Sequence, residues 1–549
     1  MIKEILQGEV RQALRNLSLT IDVSNIEVTK SEHFGDYATN AALVIAKPLG
    51  KKPMELAEEL KEEILKSPTG KRYIKEASIA KPGFINFFVS EGTILNEMET
   101  LGEHIGKGFD FLKHKKINIE FISANPTGDL HIGHGRGAFY GDILSSILSY
   151  SGAEVTREFY INDSKESNQI KELGKTALGK GEQYKTPRLE QVIKNMNVVG
   201  TNESDAGSLL AEHVGAYNRN FIREKLGITF DTWYSEEEHI RQGKRAENIL
   251  KMLKDSNFTY EKEGAVWLKT SEYGDDEDRV IVRSDLPAPG EAPAHASYAG
   301  GRQAGGTPTY FLSDIAYHAE KMGRGYDTAI DVWGADHHGH VKRVQAVKKM
   351  LGWKGELIIF ITQLVSLKEG DKEEKQTKKM SKRLGNVILL EDLVDELGID
   401  VVRWFFAEKA ISTHMEFDME LAREESPKNP VYYVQYAHAR INSIIENTKD
   451  LTADKSSLTD VIHHKRGRAL ALKIAEFPEV VESIAKDFQI QKLTTYAYEL
   501  ASEFSQFYRD VRVIQDDSYD KGAIELALLA KKTLAQSLKL LGISAPERM

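Results

Sequence analysis

Glu120-Phe121-Ile122-Ser123-Ala124-Asn125-Pro126-Thr127-Gly128-Asp129-Leu130-His131-Ile132-Gly133-His134-Gly135 is the stretch from which the fold can be read. It continues an alternating run over 115–122. Ile117, Ile119 and Phe121 share one face and Asn118 and Glu120 the other, the period of a strand. Residues 124–128 read as a turn, and a helical pattern then runs to Tyr150. A strand that passes through a turn into a helix presents unpaired N–H groups and a partial positive charge, which suit a phosphate. His131 and His134, one turn apart, add donors for the same phosphates, and Gly133 lets a flat base approach the backbone. A bare His-x-Gly-His string is common; its strand–turn–helix setting makes it informative.

Working outward, residues 329–333 and 356–367 read as further strands, separated from the first by helical stretches. That alternation predicts a parallel α/β sheet. Residues 163–208 are polar, charged and punctuated by glycine, and read as an insertion on this core. Before the core, helices are expected at 2–17, 36–45 and 53–65, and strands at 74–80 and 84–89 with Gly83 turning between them. From 390 onward the pattern is almost wholly helical. Pro427 and Pro430 mark a joint, and 431–445 opens a last helical unit.

Composition narrows the class. The 549 residues suffice for several hydrophobic cores. At 41% hydrophobic and 28% charged residues, the chain has a folded, water-compatible composition. No run of about 18 apolar residues suggests a membrane span. The first 17 residues mix charged and apolar side chains, as in an amphipathic helix and unlike a signal peptide. Cysteine is absent, which excludes disulfides, cysteine nucleophiles and thiolate metal sites. A cytoplasmic address is expected. The net charge of −10 counts against a nucleic-acid partner until its distribution is considered. Lys342, Arg343, Lys348 and Lys349 form one basic cluster, and a second is denser.

That second cluster is Lys375-Gln376-Thr377-Lys378-Lys379-Met380-Ser381-Lys382-Arg383-Leu384-Gly385-Asn386, with Gly370 and Gly385 flanking its cations. Lysines on such a loop can close over a triphosphate and neutralise charge as pyrophosphate leaves. A lysine-rich loop by itself is more often simply solvated.

Taken together, His131 to His134 and Lys379 to Lys382 resemble the HIGH and KMSKS motifs of class I aminoacyl-tRNA synthetases. Residues 120–128 and 134–138 look like arginyl-tRNA synthetase in particular. So do Tyr310-Phe311-Leu312-Ser313-Asp314-Ile315-Ala316, Gly334-Ala335-Asp336-His337-His338-Gly339-His340, residues 433–440 and the terminal 541–549. The resemblance spans the chain. It implies an N-terminal α+β domain over 1–108 that contacts the tRNA D-loop. It also implies a Rossmann-like parallel-sheet catalytic domain over 109–389 with an insertion near 163–210, a helical junction over 390–426, and an all-α DALR-type anticodon-binding domain over 427–549.

The implied reaction activates arginine with ATP, Mg2+ entering with the nucleotide, and then transfers it to the terminal adenosine of arginine tRNA. No dedicated protein metal site is expected. His131, Gly133, His134, Lys379, Met380 and Lys382 would bind ATP, with Ser381 shaping the loop; His131, His134, Lys379, Ser381 and Lys382 would carry the catalytic roles. Glu120, Tyr310 and Asp314 match the positions that hold the guanidinium; Ser123, Asn125, Asp336 and His337 match those near the α-amino and carboxylate groups. Arginine's planar five-donor cation independently calls for carboxylates in fork geometry. Asp314 can also be read as a helix N-cap. Phe84 and Asn86 match D-loop readers, against a plainer reading as a core aromatic and a turn cap. Tyr433, Arg440, Tyr508 and Met549 match positions near the anticodon, while Tyr436 and Phe507 read as core. A monomer is expected, and a tRNA requirement for arginine activation. Two other classes share some of these features: a catalytically inactive tRNA-binding paralogue and another nucleotidylyltransferase with a HIGH motif.

Overall fold

The computed structural model describes residues 1–17, 25–31, 34–198, 200–284, 306–368 and 388–549. Lys379, Met380, Ser381 and Lys382 therefore lie outside the described residues. The chain forms two compact units, 112–423 and the combination of 1–111 with 424–549.

The 112–423 unit is built on a five-stranded parallel sheet. Its spatial order is Glu356–Ile361, Thr328–Trp333, Lys116–Glu120, Glu154–Ile161, Thr232–Ser235. The first strand in sequence lies in the middle. Its successors add on one side and then on the other, so the strand order reverses beside Glu120. In parallel sheets such a reversal opens the crevice where ligands bind.

Asn118 and Glu120, expected on a polar face, are both buried. The reason is that helices cover both faces of a parallel sheet. On one face Phe121 packs against the helix Ile132–Tyr150, where a Cβ at Gly141 would meet the Phe121 ring at 2.2 Å. On the other, Asp331, Glu120 and Glu158 stand in register on three adjacent strands. Three cations from the helix Tyr310–Gly323 and its C-cap meet them. Lys321 Nζ donates to Glu120 Oε2 at 2.8 Å and to Asp331 Oδ1 at 2.7 Å. His318 Nε2 lies 3.1 Å from Asp331 Oδ2, and Arg324 Nη2 donates to Glu158 at 3.0 Å.

The insertion is helical: Asn168–Ala177, Pro187–Asn195 and Glu203–Glu224 close around Ile170, Leu173, Leu189, Leu210 and Val214. Gly174 and Gly207 bring two of its helices into backbone contact; a Cβ on either would fall within 2 Å of a carbonyl oxygen. In the unit of 1–111 and 424–549, an antiparallel sheet takes the order Val28–Lys30, Tyr37–Thr39, Phe84–Val89, Ile74–Ala80. The remainder is largely helical.

Three sequence expectations need correction. The helix expected from residue 36 begins only at Ala41, because Tyr37 and Thr39 pair with Phe87 and Ile85 as a strand. The strand expected over 356–367 is two, Glu356–Ile361 and Val365–Lys368. The second pairs with Met415–Asp418, a strand inside a region read as helical, where Met415 and Phe417 are buried with period two. The last unit is helical as read, with the short strands Thr452–Ala453, Ile514–Gln515 and Ser518–Tyr519 between its helices.

A triad of the buried Asp142 and Arg403 with the half-buried Arg157 ties the helix Ile399–Ala407 to the core. Asp142 accepts from Arg403 Nη1 at 2.7 Å and from Arg157 Nη1 at 2.6 Å, and Arg403 also donates to the Leu226 carbonyl. Removing one member strands buried charge, at a cost of about 3–5 kcal/mol. Asp142→Ala should therefore lower the denaturant midpoint of unfolding markedly. A midpoint within error of the parent would show that the triad contributes little.

Candidate active site

The sheet's central strand ends at Glu120, and the turn that follows is strained. Ile122 and Ser123 adopt φ of 68° and 38°, left-handed conformations that a β-branched residue rarely takes. They persist because neighbours hold them. Ser123 N donates to Phe121 O at 3.0 Å, and Ser123 Oγ accepts from Tyr160 N at 3.0 Å. Asn125 is exposed. The insertion grips the same turn: Asn218 Nδ2 donates to Gly128 O at 3.0 Å, and Arg188, stacked 3.8 Å over Tyr217, pairs with Asp129.

His131 caps the signature helix. Its Nδ1 accepts from Gly133 N at 3.1 Å, while His131 N donates to His134 Nδ1 at 3.1 Å. Both Nδ1 atoms are acceptors, so in each neutral ring the proton sits on Nε2. Burial holds both imidazoles below their ordinary range, His134 at about 3 with His131 adding to the effect. The pair thus offers two N–H donors and no charge. A Cβ at Gly133 would meet the His131 ring at 2.9 Å, so this glycine makes room for the cap. Ile132 N donates to Ile388 O and Leu390 N to Leu130 O, both at 2.9 Å. The first described residues after the second basic segment are thereby bonded to the signature turn.

Beside Glu120 the structure gathers two further carboxylates, Asp314 and Glu236, around a cluster of tyrosines. The Tyr160 ring lies 4.4 Å from Tyr317 and 5.9 Å from Tyr234. Burial, with the charges of Glu236, Asp314 and Glu120, holds the Tyr160 phenol well above its usual value. The helix N-cap is Thr309, so Asp314 lies within the helix and does not cap it. Its carboxyl is pushed up to about 7: burial is the main cause, His318 and Arg343 oppose it, and Glu236 and Glu120 reinforce it. Among the described residues Asp314 makes no ion pair. Tyr310, one turn earlier and half exposed, accepts from Asn168 N at 2.7 Å.

Glu120 is already engaged by Lys321, and by the Tyr317 hydroxyl at 2.9 Å. Asp336 and His337 sit on the exposed turn Ala335–His340, 3.6 Å apart, with His337 against Trp333.

Glu236 escaped the sequence reading. Glu236-Glu237-Glu238 looks like a solvated acidic run, yet the first of the three is buried and paired with Arg241 at 3.3 Å. Burial raises its carboxyl. The only local signal is its place one residue beyond a strand end.

In the other unit, Phe84 is 39% exposed and does not pack in the core. Asn86, two residues along the same strand face, is buried, and its Nδ2 has no hydrogen-bond partner among the described residues. On the helices Pro430–Glu446 and Gln491–Asp510, Tyr433 contacts Tyr498 at 5.0 Å and Arg440 lies 4.9 Å over Tyr508. Tyr436 is exposed at 40%, contrary to its reading as core: its helix turns that face outward, where it stacks on Tyr432 and accepts from Arg440. Phe507 is core and Met549 is exposed. Tyr498, also exposed, belongs to this aromatic surface and was missed.

The chain is similar to known proteins over its whole length. Residues 4–89 match the family described as arginyl tRNA synthetase N terminal domain, and residues 434–549 the DALR anticodon binding domain. It is 37% identical to the arginine–tRNA ligase of Bacillus velezensis, covering 100% of this chain and 99% of that protein. It is also 37% identical to that of Listeria monocytogenes serotype 4b, covering 100% and 98%. Among solved structures, Thermus thermophilus arginyl-tRNA synthetase superposes with a TM-score of 0.73 at 20% identity, covering 100% of both chains. The Plasmodium falciparum enzyme gives 0.72 at 16%, covering 100% and 98%. These two likenesses concern the fold.

The histidine geometry carries an expectation of its own. Nitrogen NMR should show His134 as a neutral ring protonated on Nε2 from pH 7 down to pH 5, because its ordinary titration is displaced to about 3. A titration centred near the free-histidine value of about 6.5 would contradict the buried, reciprocal cap.

Proposed function

The chain belongs to the arginyl-tRNA synthetase family, and on that footing we propose which of its groups carry out the charging of tRNA with arginine. The reaction uses ATP. The arginine carboxylate attacks the α-phosphate to give arginyl-adenylate and pyrophosphate; a terminal ribose hydroxyl of the tRNA then attacks the activated carbonyl. No covalent intermediate with the protein is needed, so catalysis consists of positioning and electrostatic stabilisation.

The observation that carries the assignment is the unpaired Asp314 carboxylate beside Glu236 and the tyrosines. Asp314 and Glu236 take the guanidinium, with Tyr310 at the rim. A planar cation between carboxylates and over aromatic faces satisfies both its N–H donors and its charge. Glu120, tied down by Lys321, borders this pocket as a fixed negative wall. Ser123, Asn125, Asp336 and His337 border the α-amino and carboxylate end. His131 and His134 donate neutral N–H groups to the nucleotide phosphates, and Gly133 keeps that surface open. Lys379 and Lys382 neutralise the leaving pyrophosphate, with Met380 and Ser381 completing the loop. Mg2+ enters with the triphosphate.

Phe84 stacks on a D-loop base and Asn86 hydrogen-bonds its edge, for which the buried Asn86 side chain must turn outward. Tyr433, Tyr498, Arg440, Tyr508 and Met549 receive anticodon bases. We place the enzyme in the cytoplasm as a monomer. Among the described residues no helix is long and apolar enough to cross a membrane.

Two outcomes test this reading. An Asp314 that titrates near 7 in the empty enzyme is neutral below that pH and cannot pair with the guanidinium. The kcat/KM for arginine should therefore rise with pH through about 7 and then level, and arginine binding near pH 7 should release a proton. Asp314→Asn should remove that limb and lower kcat/KM on the order of 10²–10³-fold, the scale of one lost buried charge pair. Aminoacylation with labelled arginine and a lysine control checks both; an unchanged variant would exclude Asp314. Separately, arginine-dependent ATP–pyrophosphate exchange should be weak until tRNA is added, and robust exchange without tRNA would overturn that requirement.

A further inference from the structure

Beneath the proposed pocket lies a buried charge relay whose central anion, Asp331, does not line that pocket. Asp331, 0% exposed, stands on Thr328–Trp333 as the register neighbour of Glu120. Each of its oxygens engages a different cation. Oδ1 accepts from Lys321 Nζ at 2.7 Å, and the same ammonium, 1% exposed, reaches Glu120 Oε2 at 2.8 Å. Oδ2 faces His318 Nε2 at 3.1 Å, and His318 Nδ1 lies 2.7 Å from the Asp314 carbonyl oxygen. A carbonyl oxygen only accepts, and so does an ionised carboxylate. Both ring nitrogens must therefore donate, which makes His318 an imidazolium.

The charges agree with that geometry. Burial alone would push His318 down and Asp331 up. The hydrogen bond and charge of Asp331 reverse the first, and Lys321 and His318 reverse the second. The result is one anion that fixes Glu120 through a lysine and the Asp314 helical turn through a histidine.

We propose that Asp331 is a positioning residue for arginine selection, holding through His318 the helical turn that presents the guanidinium acceptor Asp314, and through Lys321 the Glu120 wall against which that acceptor is set. The inference rests on the pocket assignment above. Its physical basis is that a forked guanidinium discriminates against a lysine ammonium only when its acceptors are held in place; acceptors free to shift can close on a point charge equally well. Lys321 cannot itself loosen, because it is confined between Asp331, Glu120 and the Tyr317 ring, 4.4 Å from its ammonium.

The test uses the full-length enzyme with arginine tRNA. Asp331→Asn keeps the side-chain size and one oxygen acceptor but removes the charge. A folded variant, judged by circular dichroism and melting, should show KM for arginine raised about 10- to 100-fold, the range typical when a group that orients a ligating side chain is lost. Its KM for ATP should be unchanged, and its preference for arginine over lysine reduced. Unchanged arginine KM and preference would overturn the proposal, and so would a parallel rise in both KM values, which marks general loosening.

His318→Gln provides the second measurement should Asp331→Asn fail to fold. Its amide can still donate to Asp331 but cannot also reach the Asp314 carbonyl, and the same arginine-specific rise is expected. Asp314→Asn separates the two levels. If it leaves arginine use intact, the pocket assignment fails; if it abolishes use while the Asp331 and His318 variants are silent, only the positioning role fails.

Discussion

Three carboxylates in register across the middle of a buried sheet are the constraint around which the 112–423 unit is arranged. Asp331, Glu120 and Glu158 occupy adjacent strands and are all buried. Left alone, such a row would not stay ionised. His318, Lys321 and Arg324, spaced by three along one helix face and its C-cap, meet the row, with Lys321 shared between Glu120 and Asp331. This pairing sets the angular position of the helix on the sheet, and with it the direction in which Tyr310 and Asp314 project. Replacing the row with apolar residues could yield an equally stable core. What the ions add is orientation: a hydrogen-bonded charge lattice has one satisfactory register, whereas an apolar interface tolerates sliding.

The signature turn follows the same logic by different means. Its histidines are neutral, because they are buried and because each Nδ1 is committed to a backbone N–H. Neutral rings of this kind can offer an anion directional donation but no net positive charge. The strain at Ile122 and Ser123 is sustained by bonds from Phe121 and Tyr160, and the insertion helices hold Gly128 and Asp129 from the far side. A turn over-determined from several directions is pre-organised for its ligand. The −10 net charge is compatible with an RNA substrate for a related reason: cations are concentrated locally, and the acidic remainder discourages indiscriminate contacts.

Much of this organisation was legible beforehand. The period-two run before Glu120 placed the central strand within two residues at each end, and the helical run ended at the observed Tyr150, although its helix begins at Ile132 and not directly after residue 128. The hairpin strands Ile74–Ala80 and Phe84–Val89 were read at their observed limits, because Gly83 and their apolar content are local signals. The failures share one cause. Tyr37–Thr39 and Met415–Asp418 are strands only because distant partners pair with them, and tertiary pairing overrides weak local preference. Tyr436 was read as core and is exposed, because a helix face is assigned to solvent or core by its neighbours and not by its own sequence.

The sequence by itself determined the chemistry on offer: a strand–turn–helix with two histidines, a second basic segment, and Tyr310 and Asp314 one turn apart. Local periodicity and spacing suffice for these, since each is encoded within a few turns of chain. Only the tertiary structure decided which carboxylate is free. In sequence Glu120, Asp314 and Glu236 are equivalent acids, the last hidden in an acidic run. In space Glu120 is neutralised by Lys321 and Glu236 is paired with Arg241, whereas Asp314 makes no ion pair among the described residues and sits in a site that pushes its carboxyl up to about 7. Desolvation and charge pairing depend on what surrounds a group in three dimensions, and residues hundreds of positions apart supply those surroundings.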